Sequence, residues 1–144
     1  MKLGNLKGQV TIEVVCAHTG VVLEKYVDAN LVVNGGRTAV MQLIGAANAG
    51  KQLTKFGVGT NGTAPTGADN ALTGSFVKPL GAVSYPTISS VKFDWNLGAS
   101  EANGIDIREL GIFCDDDTLF ARKTRELINK NSDIILNGSW LISL

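Results

Sequence analysis

Charge is scarce in this sequence. Asp, Glu, Lys and Arg make up 18% of its 144 residues, against about 25% in an ordinary soluble domain. The charges also cancel, 13 basic against 13 acidic. Without a basic stripe to neutralise a row of phosphates, nucleic acid is excluded as the main partner. Histidine occurs once, as His18. A single histidine rules out most zinc ligand sets and leaves a Ser–His–Asp triad without a recognisable nucleophile elbow. Cysteine occurs twice, as Cys16 and Cys114, each inside an apolar run. Two reduced, buried thiols acting as small hydrophobes are expected, with a disulfide between them left open. No apolar run approaches the roughly 18 residues of a membrane span, and Met1–Asn5 lacks the apolar segment of a signal peptide. The expectation is a chain made in a cytoplasm, without a membrane partner.

Glycine is plentiful, 17 of 144 residues, against about 7% on average. With few helix formers in series, that excess points to many tight turns between short strands. Period-two alternation marks Gln9 to Ala17, where Val10, Ile12 and Val14 alternate with Thr11 and Glu13. His18-Thr19-Gly20 reads as a turn, Val21 to Val27 as the return arm, and Asn30 to Val33 as a third short strand. Arg37 to about Ala47 reads as the single helix, capped by Asn34 and stopped by Gly50. Further strands are expected at Leu53–Val58, Ala71–Leu80, Ser90–Leu97, Gly104–Cys114, Thr118–Thr124 and Ser132–Leu144, with a Gly- and Pro-rich loop over Gly59–Ala68. The fold class that follows is all-β, mainly antiparallel, a β-sandwich or jelly-roll-like domain with one short helix near residues 36–48. One domain spans residues 1–144, with an amino-terminal hairpin over residues 1–28.

Candidate chemistry is sparse. Gly57-Val58-Gly59-Thr60-Asn61-Gly62 matches the spacing of a dinucleotide loop, but Thr63-Ala64-Pro65-Thr66-Gly67 follows where a helix is needed. Asp115-Asp116-Asp117 crowds three carboxylates together without the spacing and bend glycine of a calcium loop, so a solvated turn is the reading. Trp95 and Trp140 lie in alternating strands and read as core. Glu109 stands out. Strict alternation sets it on the face of Ile105, Ile107 and Phe113, where a lone carboxylate is costly. Either a bulge at Arg108 or Glu109 rotates it outward, or it pairs inside with Arg37 or Arg122 and anchors the helix or a neighbouring strand. No catalytic centre, cofactor or metal site and no small-molecule substrate are expected, and the chain reads as a non-enzyme.

Phe56-Gly57-Val58-Gly59-Thr60, then Ala64-Pro65-Thr66 and Ala71-Leu72, resembles the small residue, valine, glycine, loop, Pro-Thr, leucine stretch of bacteriophage tail-collar fibre proteins. Ile107 to Phe113, followed by Asp116-Asp117-Thr118-Leu119-Phe120-Ala121, resembles that family's Ile-Arg-Glu hairpin with its acidic turn. Asn34-Gly35-Gly36-Arg37 and Ile128-Asn129-Lys130 fall in the matching order, so the likeness covers residues 29–144. The resemblance implies a virion component, assembled in the host cytoplasm, that docks fibres or neighbouring subunits onto a tail, baseplate or collar. Its partners would be other virion proteins and copies of itself. A capsid decoration protein and a carbohydrate-binding β-sandwich for host attachment are the alternative readings.

Overall fold

The alternation along the first strand sorts its side chains to two faces. In the computed structural model, which describes residues Leu6–Leu144, β1 (Lys7–Cys16) buries Val10, Ile12 and Val14 and leaves Thr11 and Glu13 half-exposed. Met1–Asn5, the segment tested above for a leader, lies outside the described residues. The chain turns at Gly20, whose φ of 74° is the left-handed conformation glycine tolerates, and returns as β2 (Val22–Val32). The separate strand expected at Asn30–Val33 is instead the end of β2. Its ladder with β1 runs unbroken from Glu24 to Asn30, with no turn to divide it.

The helix α1 (Asn34–Ile44) starts earlier and ends sooner than its sequence pattern suggests. Asn34 is not its cap: Val33, extended at φ −79° and ψ 171°, takes that place without a side-chain bond, and the Asn34 amide donates to the Gly67 carbonyl. Gly45, rather than Gly50, closes the helix by donating its amide to Met41 O. At the other end, a Cβ on Gly36 would collide with the Phe120 carbonyl, so glycine lets the first turn lie directly on a strand.

The remaining elements are β3 (Leu53–Gly59), β4 (Phe76–Pro79), β5 (Val83–Ser84), β6 (Ser90–Leu97), β7 (Asp106–Cys114), β8 (Leu119–Asn129) and β9 (Ile134–Ser143). Every strand pairing is antiparallel, and the fold is all-β with one short helix. The strand expected at Ala71–Leu80 shrinks to β4, β8 runs on past Thr124, and the two-residue β5 carried no readable pattern.

The strands form one curled sheet in the order β4-β3-β7-β8-β2-β1-β9-β6-β5. β2 makes the curl: it pairs with β1 up to Asn30, then passes Leu31 and Val32 to Arg122 and Ala121 of β8. The two edge strands β4 and β5 are joined by only Leu80–Ala82, so the edges must meet. That link bridges them, the Leu80 amide donating to Thr54 O at 2.8 Å and the Gly81 amide to Asp94 O at 2.7 Å. Edges closed in this way do not recruit stray strands. Between the halves of the sheet, Phe56 of β3 packs on Trp95 of β6 with ring centroids 4.8 Å apart. Ile12, Leu110, Ile112, Leu136 and Trp140 fill the rest of the core.

Gly138 of β9 sits between Ile12 of β1 and Trp95 of β6. A Cβ there would strike the Trp95 indole and approach Thr11 O to 2.6 Å, a backbone atom that cannot swing aside. Gly138→Ala is therefore expected to cost about 1–3 kcal/mol in urea unfolding followed by tryptophan fluorescence. Unchanged stability would show that this face of β9 is loosely packed.

Candidate functional site

Between β3 and β4 the chain makes a long excursion, Thr60 to Ser75, without regular secondary structure. Excursions of this length in a small domain are either functional or disordered. This one is held in place from below by two charged residues of the scaffold.

Glu109 of β7 is fully buried and Arg122 of β8 is 2% exposed. The Arg122 Nε donates to Glu109 Oε1 at 2.9 Å. The other carboxylate oxygen, Oε2, accepts the amides of Asn61 at 2.8 Å and Thr73 at 2.9 Å, one near each end of the loop. The guanidinium carries the network outward. Its Nη1 donates to Thr63 O and to Asp69 Oδ2, each at 2.9 Å, and its Nη2 donates to Asn61 O at 2.8 Å. Asp69 in turn accepts the Thr66 amide at 2.9 Å and the Thr66 hydroxyl at 3.0 Å. The Thr66 amide, ahead of Arg122, holds the Asp69 carboxyl below the usual carboxylate range. A buried ion pair is costly to desolvate and tolerable only when its remaining donors and acceptors are used. Here the loop backbone uses them.

The strand geometry explains how Glu109 reaches this position. Glu109 and Ile107 pair with Thr124 and Ile128, so Arg125, Glu126 and Leu127 of β8 stand opposite Arg108 alone. Past that irregularity Leu110 and Ile112 face the main core, while Glu109, Gly111 and Phe113 face the loop. The structure brings Glu109 and Arg122 together. Arg37 is a correction: it is exposed on the first turn of α1, outside this network, and Glu109 does not pair with it. Asp69 and the Asn61 and Thr73 amides escaped sequence reasoning. The Thr66-x-x-Asp69 spacing offers a local turn signal, but nothing linear links it to Arg122.

The other candidates resolve into packing. Gly57 and Gly59 lie in β3, and a Cβ on Gly59 would stand 2.7 Å from Glu109 Oε2, so the glycine clears room for that carboxylate. The Asp115–Asp117 turn is exposed, as expected, and two lysines pair with it. Lys51 Nζ meets Asp116 Oδ2 at 2.5 Å, and Lys55 Nζ meets Asp117 Oδ1 at 2.6 Å. Hydrogen bonds from Lys51 and Thr118 hold the Asp116 carboxyl at about 2. Among the described residues, no three His, Cys, Asp or Glu side chains are grouped to hold a metal ion.

Exposed His18 lies 3.2 Å from Asp133 Oδ1. Both cysteines are free: burial pushes Cys114 up to about 11, whereas Cys16 is only half-buried, and a Thr19 hydrogen bond lowers its pKa. Trp95 and Trp140 are buried, which removes both as sugar-stacking platforms. No described helix is long and apolar enough to cross a membrane. Comparison with protein-family models, characterised proteins and solved structures finds no match to this chain.

Two outcomes test the network. Glu109→Gln leaves Arg122 only the part-exposed Asp69 as counter-charge and is expected to cost up to about 3–5 kcal/mol in chemical unfolding; a loss below about 0.5 kcal/mol would mean that the loop, not the ion pair, fixes this region. The depressed Asp116 pKa sets a pH dependence of known sign. Its contribution is complete above the unfolded value near 4 and is lost as pH falls toward about 2. Wild type and Asp116→Asn should therefore differ in unfolding midpoint at neutral pH and converge near pH ~2, whereas a gap that persists in acid would contradict the pairing with Lys51.

Proposed function

We propose that this chain is a structural subunit of a bacteriophage virion, a tail, baseplate or collar component that docks fibres or neighbouring subunits and catalyses no reaction. One observation carries the reading: a long exposed loop is held in one conformation by a buried ion pair whose nitrogen and oxygen atoms are all hydrogen-bonded, on a rigid β scaffold. A loop ordered in advance loses little entropy on docking, which favours a binding surface made for one partner geometry. Most of the loop's residues, among them Asn61–Ala64, Ala68, Asn70 and Thr73–Ser75, are exposed, and few are charged.

The residues that carry the resemblance to tail-collar fibre proteins support the same reading. Gly57–Thr60, Pro65-Thr66, Leu72 and the Ile107–Phe113 strand all belong to this loop or to the strands that hold it. The second end of the fold offers another exposed element, the β1–β2 hairpin, with Val21, Val22 and Leu23 56, 48 and 59% exposed. Individually weak contacts through such elements add up when a particle presents many copies.

Quantitative mass spectrometry of purified particles, together with immunogold labelling, tests the assignment. A few to a few dozen copies located on the tail are expected. Hundreds of copies over the shell would make it a capsid decoration protein instead, and absence from the particle would end the virion reading. Asn70→Arg, at an exposed loop position, should leave the isolated fold intact and reduce incorporation.

A further inference from the structure

Apart from the β1–β2 hairpin, a second group of exposed apolar side chains lies where β1 begins and β9 ends. Two shallow hollows adjoin there, of about 460 and about 290 Å³. They share Val40 of α1, Tyr85, Val91 of β6 and Ile142 of β9. Among the described residues, no charged side chain lines either of them. Around them Leu43, Val83, Tyr85, Ile88 and Leu144 are 41, 48, 77, 108 and 59% exposed.

Ile88 is the most exposed of these side chains. It sits in a turn closed by Ser90 Oγ, which accepts the Thr87 amide at 3.1 Å and meets the Thr87 hydroxyl at 2.8 Å, while Ser89 donates its amide to Thr87 Oγ1 at 3.2 Å. Those bonds fix the turn that presents this apolar side chain to water.

We propose that this end of the sheet is the contact between two copies of the chain, paired about a two-fold axis, with Ile88 of each copy seated in the Val40–Tyr85 hollow of the other. A two-fold interface must be self-complementary, and here a knob and a hollow lie side by side on one face. The five exposed side chains present on the order of 600 Å² of apolar surface, at the upper limit of the largest patch on an ordinary monomer. With half-buried Val40, Leu53 and Val91 added, the face approaches the ~800 Å² per partner of a standard stable interface. Charged side chains do not oppose it, because none lines the hollows and the chain's 13 basic and 13 acidic residues cancel. An uncharged apolar centre is also the composition of homodimer interfaces. The inference takes from the virion reading only the expectation that copies of the chain meet.

Sedimentation of the purified full chain over the micromolar-to-millimolar range tests it without any particle, so the two proposals can fail separately. The wild type should form a discrete dimer. Ile88→Asp, at a side chain that contributes nothing to the monomer's core, should raise the dimer dissociation constant about tenfold or more while leaving the unfolding midpoint of the monomer unchanged. Leu23→Asp, at the far hairpin, should dimerise like the wild type. A wild type that stays monomeric throughout, an Ile88→Asp protein that dimerises unchanged, or dissociation caused by Leu23→Asp would each overturn the proposal. So would open-ended growth beyond the dimer.

Discussion

Burying an arginine and a glutamate side by side sets a demand that the rest of this fold is arranged to meet. Each ion gives up hydration worth several kcal/mol, and their mutual attraction repays that only if every remaining lone pair and proton finds a partner. Glu109 has oxygen sites left after meeting Arg122, and Arg122 has donors left after meeting Glu109. The loop from Thr60 to Ser75 supplies most of what is missing: two amides to the carboxylate, two carbonyls to the guanidinium, and the Asp69 carboxylate on its outer side. Loop and ion pair are thus conditional on each other. Such an arrangement is a poor source of net stability but a good source of a single defined conformation.

Several local features follow from that demand. Gly59 has no Cβ because the Glu109 carboxylate occupies that space. The expected strand at Ala71–Leu80 is cut short because the Thr73 amide goes to Glu109 and not to a ladder. The start of α1 is drawn in as well, since the Asn34 amide binds Gly67 O within the same loop. Helix, loop and the β7–β8 pair consequently form one connected unit on one side of the curled sheet. The uncharged apolar face, lined by α1, β6 and β9, includes no residue of this loop, so the two proposed docking surfaces need not compete for the same residues.

Elements whose signal is local were legible in the sequence. β6 carries Phe93, Trp95 and Leu97 on one buried face, and its observed ends, Ser90 and Leu97, are those the alternation gives. The β1–β2 hairpin was equally plain, because one turn containing Gly20 separates two alternating runs. What could not be read depended on distant residues. Val33 ends β2 by turning directly into α1, so the capping signal of Asn34 was overridden by its bond to Gly67. Of the candidate site, the misfit of Glu109 in an apolar face was visible, and Arg122 was among its two possible partners. Choosing Arg122 over Arg37 needs the β7–β8 register, which sequence does not encode locally. The curling of the sheet was hidden for the same reason: it depends on β2 passing from β1 to β8 and on the Leu80–Ala82 link between the edge strands β4 and β5.

Residue-resolved hydrogen exchange at the Asn61 and Thr73 amides tests most directly whether the ion pair orders the Thr60–Ser75 loop. Both amides point at one carboxylate oxygen beneath an otherwise exposed loop. In the wild type they should exchange as slowly as the core amides of β7, and in Glu109→Gln they should exchange faster than those core amides. Fast exchange at both positions in the wild type, alongside a protected β7, would show that the loop moves independently of Glu109 and Arg122.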